Sequence, residues 1–164
     1  MVLKPEPRQL VVSISDMKYS VRPEEMIVTY SLGSCLGITA YDPGKRIGAM
    51  MHALLPNANA SPEKAARTPY MFVTVGFRAM VARLENLGAV RRRLVIKAAG
   101  GSDMRGDNVF RTGERNTAAL HQVLQEERLR LTAQEVGGTI PRTMFLHLDS
   151  GEVVIKTFGK RRNI

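Results

Sequence analysis

The chain is short of the groups that most often announce a chemistry. Its 164 residues include one cysteine, no tryptophan and three histidines. A single thiol excludes an internal disulfide framework and any zinc site built on Cys-x-x-Cys. It also fits a reducing compartment. The histidines have no close ligand spacing, so no metal site is expected. Aromatic residues make up 5%, few for a protein that stacks on bases. No run approaches the roughly 18 consecutive apolar residues that cross a bilayer, so no membrane insertion is expected. Met1-Val2-Leu3-Lys4-Pro5-Glu6-Pro7 lacks the basic-then-apolar pattern of a secretion signal, and a cytoplasmic location is the expectation.

What is present is ordinary globular material. An apolar fraction of 44% with 24% charged residues argues against disorder and for one domain with a real core. The formal charge of +9 calls for an acidic partner of some kind. Arg91-Arg92-Arg93 and Lys160-Arg161-Arg162 are the densest basic clusters, each readable as a solvated face or an anion-binding patch. Residues 1–9 read as an N-terminal arm, 10–159 as a single domain and 160–164 as a basic C-terminal tail.

Strands are predicted at Leu10–Ser15, Met26–Tyr30 and Leu94–Ala99, with a hairpin from Cys35 to Leu55 and another over Thr143–Leu148 and Val153–Phe158. Helices are predicted from Thr68-Pro69 to Leu87-Gly88 and over Glu114 to Arg130, the second with Ala119, Leu120, Val123 and Leu124 inward. The strands cluster rather than alternate with helices, which gives an α+β fold, a layered sandwich with mixed or antiparallel strands.

The chemistry centres on Cys35. A type II turn at Asp42-Pro43-Gly44-Lys45 pairs residues whose numbers sum to about 87, which sets Cys35 directly across from His52 on one face. An imidazole there could take the thiol proton and activate the sulfur. Gly33-Ser34 suggests a tight turn whose backbone N–H groups could hold an oxyanion. A lone cysteine is otherwise a small buried apolar residue. His121 on a helix and His147 in a late strand have no such setting. Gly100-Gly101-Ser102 follows a strand but lacks the Lys-Ser/Thr of a phosphate-binding loop; turn geometry or close backbone approach to a substrate explains it better.

From Ile27 onward the sequence resembles the CheD family of chemoreceptor glutamine deamidases. The resemblance rests on Thr29-Tyr30-Ser31-Leu32-Gly33-Ser34-Cys35, Tyr41-Asp42-Pro43 and Met51-His52-Ala53-Leu54-Leu55-Pro56. Lys97-Ala98-Ala99-Gly100-Gly101-Ser102, Gly113-Glu114-Arg115-Asn116 and Gly137-Gly138 with Arg142 support it. Phe72 and Thr74 stand where the family often has Tyr and Asp. The resemblance implies a catalytic Cys35, His52 and Thr29, and a fold similar to the catalytic domain of cytotoxic necrotizing factor. It also implies chemotaxis receptors as substrates and, in many members, a CheC-type phosphatase partner.

The implied reaction is a Cys–His thioester route from glutamine to glutamate, possible also on glutamate methyl esters. It needs no cofactor. Gly33, Ser34, Gly100, Gly101 and Ser102 are the candidate backbone contacts to substrate or oxyanion. Two other readings fit the residues: a regulatory binding protein for a CheC-type phosphatase, and a basic nucleic-acid-binding module.

Overall fold

The computed structural model describes residues 2–107 and 109–164. Ten strands form two five-stranded sheets, and the sequence separates them by which residues each strand can bury on its two faces. The first sheet contains β1 (Arg8–Val11), β3 (Glu25–Leu32), β8 (Arg142–His147), β9 (Val153–Thr157) and β10 (Lys160–Asn163), in that order. The second runs β2 (Asp16–Ser20), β5 (Ile47–Ala53), β4 (Leu36–Asp42), β6 (Val95–Gly100), β7 (Leu131–Val136). Pairing is antiparallel except β1 with β3 and β6 with β7. Helices α1 (Pro62–Arg67), α2 (Val73–Asn86) and α3 (Thr112–Glu126) complete the fold, an α+β sandwich.

The second sheet is the middle layer, which is why every residue of β4 and β5 is buried. Leu36, Ile38, Ala40, Ala49 and Met51 face α2 and α3, meeting Phe77, Met80, Leu120 and Val123. The alternate residues Tyr41 and Met50 face the first sheet and meet Ile27, Met144, Leu146 and Ile155. Strand alternation thus supplies two cores from one sheet.

The central hairpin differs from its sequence reading in one respect. Asp42 is the last paired residue, opposite Ile47, and Gly37 rather than Cys35 stands across from His52. Asp42 Oδ1 accepts the amides of Gly44 and Lys45 at 2.8 and 3.3 Å, so the aspartate caps the turn from outside it. The loop is therefore Pro43 to Arg46, closed by Arg46 at φ 53°; Gly44 does not take the positive φ that a type II turn requires. The shift is two residues, so every side chain keeps its predicted face.

Lys160–Asn163, read as a tail, is an edge strand paired antiparallel with β9. Arg162 bonds Thr157 Oγ1 at 3.1 Å and pairs with Glu135 of β7, tying the edges of the two sheets together. The other basic cluster is also spoken for in part: Arg91 pairs with Glu85 and Glu127, and Arg93 with Asp42. Asp42 is buried. Desolvation alone would raise its pKa, but the Arg93 guanidinium and the amides of Val90, Gly44 and Lys45 hold it at about 2.

Candidate active site

The site forms where the chain leaves the first sheet for the second. β3 changes register between Thr29 and Leu32, and Ser31 sits at φ 56°. Such a bulge bends a strand and turns its end away from its sheet. Gly33, Ser34 and Cys35 make the crossing, and β4 begins at Leu36. Cys35 is 8% exposed and packs in the core between the sheets with Leu32, Met50 and Ala99.

Thr29 and His52 face each other across that same interface. Thr29 Oγ1 lies 2.7 Å from His52 Nδ1 and 2.8 Å from the Val12 carbonyl oxygen. The single hydroxyl proton must go to Val12, because a carbonyl oxygen can only accept. Oγ1 then accepts, so Nδ1 carries the imidazole proton and Nε2 presents a bare lone pair. Nε2 is buried without a hydrogen-bond partner among the described residues. Burial lowers the His52 pKa to about 4 and raises that of the Cys35 thiol. At neutral pH the resting pair is therefore uncharged, a thiol and an imidazole.

The crossing loop is held from both sides. Gly101 N–H donates to the Cys35 carbonyl and Ser102 N–H to the Gly33 carbonyl, both at 2.9 Å. These amides were candidates for holding substrate or oxyanion; instead they support the loop that carries the thiol. Gly100 allows this contact: it sits at φ 108°, and a Cβ there would lie 2.2 Å from the Cys35 carbonyl oxygen. Its own amide neighbours are β-ladder partners and its carbonyl accepts from Gly137. Arg142, buried in β8, donates to Ser102 Oγ at 2.9 Å and the Gly137 carbonyl at 2.8 Å and pairs with Glu135. No backbone acceptor takes the Ser34 or Cys35 amide among the described residues.

On the opposite side stands Asn116 of α3, fully buried. Its Nδ2 donates to the Ser34 carbonyl at 2.9 Å and the Leu54 carbonyl at 3.1 Å. Its Oδ1 has no partner among the described residues, a cost of about 1–3 kcal/mol. Val12, Asn116 and Arg142 had no assigned role in the sequence reading. Asn116 was detectable, because it is the polar member of the inward stripe continued by Ala119, Leu120, Val123 and Leu124. Val12 acts through its carbonyl, which no side-chain pattern reveals.

A cleft of about 680 Å³ opens beside Ser34, with Gly101, Met104, Phe110, Thr117 and His121 among its walls. His121 thus borders the cleft, while His147 lies in β8 away from it. Ser34, the residue before Cys35, lines the cleft, whereas Cys35, His52 and Thr29 are not among its walls.

The two-sheet sandwich thus buries a cysteine and a hydrogen-bonded threonine–histidine pair between its sheets. The profile of the family described as CheD chemotactic sensory transduction matches residues 54–157. A Solibacter usitatus protein named "Probable chemoreceptor glutamine deamidase CheD" is 38% identical over 157 residues, 95% of this chain and 93% of the relative. A protein of the same name from Symbiobacterium thermophilum is 40% identical over 153 residues, 91% of this chain and 92% of its own length. The chain belongs to the CheD family.

Proposed function

We propose that the protein is a glutamine deamidase acting on chemotaxis receptors, with Cys35 as nucleophile, His52 as general base and Thr29 as the residue that orients the imidazole. The observation that carries the mechanism is the proton inventory at His52: Nδ1–H is committed to Thr29, and the buried Nε2 is free to accept. The substrate class is carried by the names of relatives that match this chain over nearly its full length.

Entry of the substrate amide next to Ser34 brings the side-chain carbon to the thiol. Nε2 takes the thiol proton as sulfur attacks, so thiolate and imidazolium arise together rather than beforehand. The amides of Ser34 and Cys35, which no backbone acceptor takes among the described residues, are the candidate donors for the oxyanion. The imidazolium protonates the amide nitrogen of the tetrahedral adduct, the C–N bond breaks to release ammonia, and a thioester remains. His52 then takes a proton from water, whose hydroxyl displaces sulfur and gives glutamate with the thiol restored. A glutamate methyl ester would follow the same course with methanol leaving. The family resemblance adds a CheC-type phosphatase as a binding partner.

The test is receptor fragment incubated with wild type, Cys35→Ala and His52→Ala, read by ammonia release and peptide mass. Loss of deamidation by at least about 1,000-fold in both variants is expected, the scale of removing one member of a nucleophile–base unit. Wild-type-like turnover by either variant overturns the mechanism.

A further inference from the structure

The ladder between β4 and β5 ends at the pair Leu36–Ala53. Cys35 lies beyond that last pair, and its residue is set diagonally, not directly, across from His52. Sheet hydrogen bonding therefore does not fix the spacing between sulfur and imidazole. Something outside the ladder must do so.

Resting on the reading of Cys35 and His52 above, we infer that Asn116 is the positioning residue that sets this spacing. One Nδ2 group ties the carbonyl of Ser34, the residue before the nucleophile, to that of Leu54, two residues after the base. Both donors of the amide are spent on these two carbonyls, and the buried Oδ1 is left without a partner. An asparagine kept on an apolar stripe with its acceptor unused is there for its donors. The helix is placed to deliver it: α3 begins so close to the Gly100–Ser102 turn that a Cβ on Gly113 would lie 2.4 Å from the Gly101 carbonyl oxygen. Asn116 follows one turn later, on the same buried face. The Gly101 and Ser102 amides hold the far side of the crossing loop but reach no atom of β5. Asn116 is the side chain that holds both strand exits at once.

Asn116→Asp keeps the shape and removes the paired donors, and Asn116→Ser shortens the side chain. Val123→Ala on the same helix faces the other core and serves as the control for simple loss of stability. Each would be measured for kcat and KM on receptor fragment, for melting temperature, and for the rate and pH dependence of Cys35 alkylation by iodoacetamide, which reports on the only thiol.

For both Asn116 variants kcat is expected to fall at least about tenfold, KM to change less than about threefold, and the alkylation profile to move. Val123→Ala, at a comparable melting temperature, is expected to keep kcat within about twofold. Should Asn116→Asp fail to fold, Asn116→Ser decides. A kcat within twofold of wild type in either folded Asn116 variant, or an equal loss in Val123→Ala, overturns the inference. Cys35→Ala assayed in parallel separates the two failures: if it still turns over, the nucleophile assignment falls; if it is dead while Asn116→Asp is active, only the role of Asn116 falls.

Discussion

Thr29 has one hydroxyl proton, and the geometry spends it on Val12. That choice makes the threonine an acceptor for His52 and fixes the imidazole tautomer as the one a general base needs. Thr29→Val should leave the Nδ1 proton buried without an acceptor, a loss of about 1–3 kcal/mol. We expect kcat to fall about 10- to 100-fold and Thr29→Ser to recover most of it, measured by steady-state deamidation.

The charge state of the pair makes a second expectation. With His52 lowered to about 4 and the thiol raised, the alkylation rate of Cys35 should climb with pH through one ionisation above about 8.5, the ordinary thiol value. The acid limb of kcat/KM should fall near pH 4. A flat, fast alkylation plateau between about pH 5 and 8 would instead show a preformed thiolate–imidazolium pair, as seen at cysteines with strongly lowered pKa.

Among the elements, the crossing loop is the most demanding piece of backbone. Gly100→Ala places a methyl group against the Cys35 carbonyl at a φ that alanine resists. We expect a loss of at least about 2 kcal/mol in denaturant unfolding and a drop in kcat larger than stability alone explains, because the displaced carbonyl is that of Cys35, the proposed nucleophile. The hairpin shows what could be read from sequence at this scale. Alternation placed Cys35, Met50 and His52 on one face and Leu36, Ile38 and Met51 on the other, and the two-residue error in register left those faces intact. The error came from Asp42, whose carboxylate caps the turn from the last strand position, a side-chain-to-backbone bond that composition does not display.

β2, β7 and β10 escaped notice for related reasons. Asp16–Ser20 and Leu131–Val136 are short, polar edge strands. Lys160–Asn163 is fully exposed and basic, as a protected sheet edge often is. The proposed trio of Cys35, His52 and Thr29 came from the family resemblance; the register that set Cys35 directly across from His52 is replaced by Gly37 opposite His52. The roles of Gly101 and Ser102 were not legible, because they act through amides facing another loop.

For the whole molecule, the two-sheet interface sets the response to acid. The imidazole of His52 binds its proton near pH 4 when folded and near 6.5 when unfolded, so between those values the unfolded chain holds more protons. Stability is then complete above about pH 6.5 and is lost as pH falls toward 4, by up to about 3 kcal/mol from this group. Urea unfolding at pH 7, 5.5 and 4.5 should show this slope, and His52→Gln should reduce it most between pH 7 and 5.5. Asp42, held at about 2, and the carboxylates of Glu127, Glu135 and Asp149, each lowered by its basic partner, add to the acid loss only toward the lower end of that window. Sealing the sulfur between the sheets has a consequence for durability as well. Peroxide attacks thiolates that solvent can reach, and Cys35 at rest is neither ionised nor open. The enzyme should therefore withstand oxidant concentrations that disable cysteine hydrolases with a standing thiolate, becoming vulnerable only in the moments when a substrate draws the proton away.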